Sequence, residues 1–140
     1  MLLPGKGSKK WFAIWIGSFL INLLLILFSR FQLGEVLNLN MMIGFSIISV
    51  LSATIISLGY FGYDVIAGIA IASNTFGLTY MLYITSTNIN DGWSDITSII
   101  VLIFAIIIGN ALGLILQALK LIYNKRPKDV KKKKKKKSRK

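Results

Sequence analysis

The sequence predicts an all-α integral membrane protein, a four-transmembrane-helix bundle followed by a polybasic C-terminal tail. Hydrophobic residues make up 54% of the 140-residue chain, and charged residues only 16%. The charges are also segregated, since ten of the seventeen Lys and Arg residues lie within 128–140. A soluble domain would distribute its charges along the chain. Long uncharged stretches between charged flanks therefore predict helices that cross a bilayer.

The first span follows a basic leader, residues 1–10. Residues 11–29 are nineteen consecutive uncharged residues, and Arg30 closes the stretch. A secretory signal peptide has a shorter apolar region of ~7–15 residues and ends at a small-residue cleavage site. No such site follows Ser29, so we expect 11–29 to remain as a membrane span.

The second and third spans share one apolar stretch, 41–86, whose 46 residues contain a single charge, Asp64. One helix of this length would extend roughly 69 Å, more than twice the ~30 Å hydrocarbon core, so the chain must turn back. The Gly-rich segment 59–64 supplies the turn, because Gly disfavours helix and Asp favours turns. We predict spans at about 41–62 and 65–86, with Asp64 at the start of the third helix.

The fourth span is predicted at about 96–119, a charge-free run of 24 residues. The polar loop before it has the turn signal Asn-Asp-Gly at 90–92, and Asp95 is placed to cap the helix. Pro127 is expected to end the helix, since proline lacks an amide N–H and clashes with the preceding turn. Residues 124–140 then form a polybasic tail, expected to be disordered in isolation or ordered by a partner.

Charge and aromatic placement predict the topology of the transmembrane domain, residues 11–123. The basic leader and the basic tail must share one side of the membrane, because four spans return the chain to its starting side. By the positive-inside rule that side is the cytoplasm, so we expect a multi-pass protein of the cell membrane with both termini cytoplasmic. Aromatic residues concentrate at membrane interfaces and agree with this arrangement. They are Trp11, Trp15, Tyr60, Tyr63 and Tyr123 near the inner interface, and Tyr80, Tyr83 and Trp93 near the outer one.

Catalytic and metal-binding chemistry is disfavoured by composition, because Cys and His are both absent. Thiolate nucleophiles, disulfides, most zinc sites and the usual triads are thereby removed. Asp64 is predicted on the opposite side from Asp91 and Asp95, so no acidic cluster exceeds two residues. Met41 and Met42 are adjacent and point in different directions, which disfavours a copper site. We expect no catalytic residue, no metal and no cofactor, and an enzyme is the least favoured class.

Small residues recur at helical spacing on the second and fourth predicted spans, and more loosely on the third at Gly68, Ala72, Ser73 and Gly77. Such faces let helices approach closely, so that dispersion contacts between helices replace contacts with lipid. Packing inside the bundle is the favoured interpretation, and docking onto a partner subunit is the alternative. The residues are Ala105, Gly109 and Gly113 on the fourth span, which include a GxxxG motif, and Ser49, Ala53 and Ser57 on the second.

Four amide side chains are expected to be buried in the spans, namely Asn22, Asn74, Asn110 and Gln117. An amide in hydrocarbon seeks a hydrogen-bonding partner, and interhelical bonds are worth roughly 0.6–2 kcal/mol. Asn110 lies beside the GxxxG face, where it is placed to bond to Asn74 or Asn22. Interhelical bonding is favoured over a polar substrate path, because such a path is expected to include a charge within the membrane and the sequence indicates none.

The tail is the most basic part of the chain, with an unbroken run of seven lysines. Each basic residue near an anionic leaflet contributes about 1 kcal/mol, so the run is expected to bind anionic lipid headgroups. An acidic protein, ribosomal RNA or a role in fixing topology alone are alternatives, although no aromatic residue interleaves the lysines to stack on bases, which disfavours nucleic acid. The run comprises Lys131, Lys132, Lys133, Lys134, Lys135, Lys136 and Lys137.

The favoured functional hypothesis is a non-catalytic accessory or structural subunit of a larger hetero-oligomeric membrane complex. Small size, short loops, small-residue faces and the lack of reactive residues all point to it. A subunit of a membrane oxidoreductase, such as a respiratory complex or an archaeal-type ammonia monooxygenase, is one alternative by class alone. A small homo-oligomeric transporter is another, but exporters of the small multidrug resistance type need a glutamate in the first span, and Glu35 falls in the loop after it. A holin-like pore former is the third.

Overall fold

The structure of the protein is a computed structural model that describes residues 3–87 and 93–137, with the side chains of 95 and 125–137 outside the description. Within these ranges the regular secondary structure is helical. The helices are α1 (Lys10–Gln32), α2 (Leu39–Ser57), α3 (Asp64–Thr87) and α4 (Ser94–Lys137), and a short 3-10 helix, Leu58–Phe61, follows α2. All four α-helices are long and apolar enough to cross a membrane. The predicted all-α fold with four spans is confirmed, and the chain is a multi-pass membrane protein.

The turn between α2 and α3 forms at the glycines that the sequence singles out. Gly62 has a φ of 92°, in the left-handed region, and closes the 3-10 helix by donating from its N–H to the Gly59 carbonyl at 3.0 Å. A Cβ on Gly59 would collide with the indole of Trp11. The two glycines therefore act differently, since Gly62 permits the backbone reversal and Gly59 admits the first turn of α1.

The four helices are arranged so that α4 lies at one edge. α1 and α2 pack together, α3 packs against both, and α4 packs along α3. All four helices contribute to the apolar core, which consists of Ile26, Phe45, Leu78, Met81 and Leu102. Most apolar side chains of α4 outside its α3-facing side are exposed, as expected for a helix that meets lipid or another protein.

The two ends of the bundle differ in the segments that they carry. The leader end carries residues 3–9, the start of α1 and the 3-10 helix. The opposite end carries the connection 33–38 between α1 and α2, where Gly34 adopts a φ of 70° and Asn38 caps α2 by accepting from the Met41 N–H at 2.9 Å.

Helix α4 differs from the sequence prediction at both of its ends. It begins at Ser94, so Asp95 lies in its first turn rather than at the cap position. It also runs through Pro127 to Lys137, so the prediction that Pro127 ends the helix is wrong. Proline removes one backbone hydrogen bond, and the surrounding Lys and Arg residues have high helix propensity, which allows the backbone to continue. The turn predicted at 90–92, with Asp91, lies outside the described residues.

Candidate functional site

The small-residue face of α4 packs against α3. A Cβ on Gly109 would collide with the side chain of Ser73, and one on Gly113 would lie 3.3 Å from the Ile66 Cα. On the α3 side, a Cβ on Gly77 would lie 2.8 Å from the Ala105 Cβ. The structure thus places Ala105, Gly109 and Gly113 inside the bundle, where the absence of side-chain bulk lets the two helices approach closely.

The small residues of α2 divide between the interior and the leader end. Ser49 and Ala53 are fully buried, and the Ser49 hydroxyl donates to the Phe45 carbonyl at 2.8 Å within the same helix. Ser57 is only partly buried and lines a groove at the leader end. Ser49 and Ala53 therefore belong to the packing surface of α2, whereas Ser57 borders an open groove.

Two of the predicted amides form an interhelical contact in the middle of the bundle. Asn74 of α3 donates from Nδ2 to Oδ1 of Asn22 on α1 at 2.9 Å, and Asn22 in turn donates to the Ser18 carbonyl at 2.8 Å. Both side chains are buried. Gln117 is also buried, and its Oε1 accepts from the Val65 N–H at 3.3 Å, so it serves an otherwise unpaired amide in the first turn of α3.

Asn110 does not join this contact, so its predicted bond to Asn74 or Asn22 is wrong. Successive residues of an α-helix are about 100° apart, and Gly109 is the residue that faces α3. The Asn110 side chain consequently lies on the flank of the α3 interface. It is partly exposed and makes no hydrogen bond within the described part of the chain.

Arg30 is a buried cation that the sequence analysis assigned to the connection after the first span. α1 extends to Gln32, so Arg30 lies inside the helix, and its side chain is only 1% exposed. Its Nη1 lies 3.3 Å from Oε1 of Glu35, and its Nη2 donates to the Ser98 hydroxyl of α4. The neighbouring Ser29 and Thr85 of α3 share a hydroxyl–hydroxyl bond of 2.9 Å. The expectation of no charge within the bundle is therefore wrong, and this polar cluster joins α1, α3 and α4 at the opposite end.

A second ion pair lies at the leader end. Nζ of Lys120 on α4 is 2.7 Å from both carboxylate oxygens of Asp64, the first residue of α3. Both side chains are about two-fifths exposed, at 40% for Lys120 and 43% for Asp64. In the sequence Asp64 belongs to the turn before the third span, and Lys120 directly follows the fourth. Their pairing depends on α4 lying beside α3, which neither segment reveals alone.

Several grooves indent the described surface. One of about 580 Å³ lies at the leader end. A groove of about 320 Å³ borders Asn22 and Asn74, and one of about 370 Å³ lies along the apolar surface of α2. Among the described residues no group of three or more acidic, Cys or His side chains could hold a metal ion.

The comparisons with known proteins add no relative. No protein family, curated protein or solved structure matches the chain. The fold and the polar contacts define its class, a multi-pass helical membrane protein.

Proposed function

We propose that the chain is a non-catalytic structural subunit of a larger complex in the cell membrane, with both termini cytoplasmic. The observation that carries this proposal is the position of Asn110. It is the middle residue of the apolar span Ile96–Asn124, on the edge helix of the bundle, and its amide is partly exposed there.

An amide at this depth has no water to bond with, so a partner that supplies a hydrogen bond stabilises it. Within the described chain no such partner is present for Asn110. A polar side chain on a helix of another subunit would meet the requirement, with a bond worth roughly 0.6–2 kcal/mol. The amide would also fix the register of that helix against α4.

The residues around Asn110 have the spacing of a helix-packing seam. Ile103, Ile107, Asn110 and Leu114 follow one another at intervals of four, three and four residues, which places them along one stripe of α4. The three apolar members are exposed, at 36%, 58% and 60%. This Asn110 stripe is separate from the glycine face, so α4 can pack on α3 and on a second protein at once.

The described carboxylates support a structural role over a catalytic one. Asp64 is engaged by Lys120 and Glu35 by Arg30, and both pairs bridge chain segments. A general acid or base needs to exchange a proton with a substrate in a cleft, whereas these groups stabilise neighbouring segments of the bundle.

The test is purification of the native protein in a mild detergent, followed by blue-native electrophoresis and mass spectrometry of the bands. We expect a band heavier than the chain that contains at least one other membrane protein. Asn110→Leu keeps the branched shape of the side chain at Cγ and removes the amide, so it should reduce recovery of that band several-fold.

A relocated amide provides the control for this experiment. Ile108 projects about 200° around α4 from Asn110, and it is also exposed. Adding Ile108→Asn to the Asn110→Leu variant should not restore the complex. A protein that migrates alone would contradict the proposal, and a band containing only this chain would favour a homo-oligomeric transporter or pore.

A further inference from the structure

The groove of about 580 Å³ at the leader end is lined by both apolar and polar residues. It lies where the first turns of α1 meet the 3-10 helix, and its apolar lining includes Phe12, Trp15 and Phe61. Its polar lining residues are Ser8, Lys9, Ser57 and Tyr60, whose ammonium and hydroxyl groups can donate hydrogen bonds. Among the described residues no carboxylate lines it.

The floor of the groove is held in place by contacts of the leader. Trp11 is 2% exposed, its indole covers Gly59, and its Nε1–H donates to the Gly5 carbonyl at 3.2 Å. The Gly7 N–H donates to the Tyr60 carbonyl at 3.0 Å. The leader is thereby fastened to the turn after α2, and the groove between them is preformed.

The wall continues along α1 as an aromatic row. Trp15 stacks on Phe12 at a centroid distance of 6.3 Å and on Phe19 at 6.1 Å. Its Nε1–H donates to the Thr54 hydroxyl of α2 at 3.3 Å, which fixes the orientation of the ring. From Lys9 to Phe19 the helix rises about 15 Å, half of the ~30 Å hydrocarbon core and so the depth of one leaflet.

We propose that this groove binds a single anionic phospholipid of the leaflet on the leader side. The phosphate would lie at Lys9, Ser8 and Tyr60, and one acyl chain would run along Phe12, Trp15 and Phe19. The charge of the polar lining selects the headgroup, because a zwitterionic choline lipid would bring a second cation beside Lys9. The site differs from the lysine tail, which attracts any anionic surface and requires no cavity.

The experiment is native mass spectrometry of the full chain with phosphatidylglycerol or phosphatidylcholine of the same acyl chains. We expect one phosphatidylglycerol to be retained per chain and phosphatidylcholine to be lost at the same activation energy. Lys9→Gln should weaken phosphatidylglycerol binding at least about fivefold, since one cation near an anionic lipid contributes about that factor. Trp15→Ala should also reduce retention of phosphatidylglycerol, because it removes part of the apolar wall of the groove.

Lys10→Gln is the matched control, because Lys10 is adjacent and exposed but does not line the groove. Lys10→Gln should leave retention unchanged, and so should replacement of the seven tail lysines by glutamine. Equal loss in the two single variants would show general charge attraction and overturn the proposal. Equal retention of phosphatidylcholine, or unchanged retention in both Lys9→Gln and Trp15→Ala, would overturn it as well.

Discussion

Individual polar residues in this bundle differ mainly in how far they are removed from solvent. Arg30 is 1% exposed and bonds to groups on two other chain segments, whereas Lys120 is 40% exposed and bonds to one carboxylate. Removing one partner of a buried pair leaves the other charge uncompensated. Exposed pairs contribute little, because solvent screens them and ordering the side chains costs entropy.

The same type of substitution at these two cations should therefore have unequal effects. Arg30→Met removes the bonds to Glu35 and Ser98, and we expect a loss of about 1.5–3 kcal/mol in the free energy of unfolding. Lys120→Met should change it by less than about 1 kcal/mol. Sodium dodecyl sulfate titration of the helical circular dichroism signal measures both. Equal losses would mean that Arg30 contributes no more than an exposed ion pair.

At the scale of elements, the sequence predicts which helices form but not which faces meet. Gly59 and Gly62 mark the turn because their effect is local, and the spacing of Ala105, Gly109 and Gly113 marks a face. The pairing of that face with Gly77 and Ser73 depends on the angular position of α4 around α3. The same angular position places Asn110 on the flank of the α3 interface, which is why its predicted bond to Asn74 does not form.

The close approach of α3 and α4 predicts that a larger side chain at Gly109 destabilises the bundle. Gly109→Leu places a branched side chain against Ser73, and overpacking of this kind costs about 1–3 kcal/mol. Ala111→Leu is the matched control, because Ala111 is exposed on the same helix and should change stability by no more than about 0.5 kcal/mol. The same detergent titration measures the free energy of unfolding of both variants. If Gly109→Leu were neutral, the two helices would not be in close contact at this position.

For the whole molecule, the lengths of the apolar stretches are enough to predict four spans, since 11–29 and 96–119 can each cross a bilayer once and 41–86 is long enough to cross it twice. The contacts between the spans cannot be predicted in this way. Arg30 and Ser98 are far apart in sequence, as are Asp64 and Lys120, and only the packed bundle brings each pair together. Orientation is set by a further quantity, the charge difference between the two ends, which acts during insertion.

That charge difference predicts that the leader end of the bundle faces the cytoplasm. The leader end carries Lys6, Lys9 and Lys10, and the connection at the opposite end carries only the acidic Glu35 as a charged residue.

Because the chain has no cysteine, single-cysteine variants report one position each. Gly5 has open space around its Cα, and Val36 is 88% exposed, so Gly5→Cys and Val36→Cys should both fold normally. A membrane-impermeant maleimide should label Val36→Cys in intact cells and Gly5→Cys only after permeabilisation, with the cysteine-free protein as the blank. The reverse pattern would place both basic ends outside the cell, against the electrostatic bias of insertion.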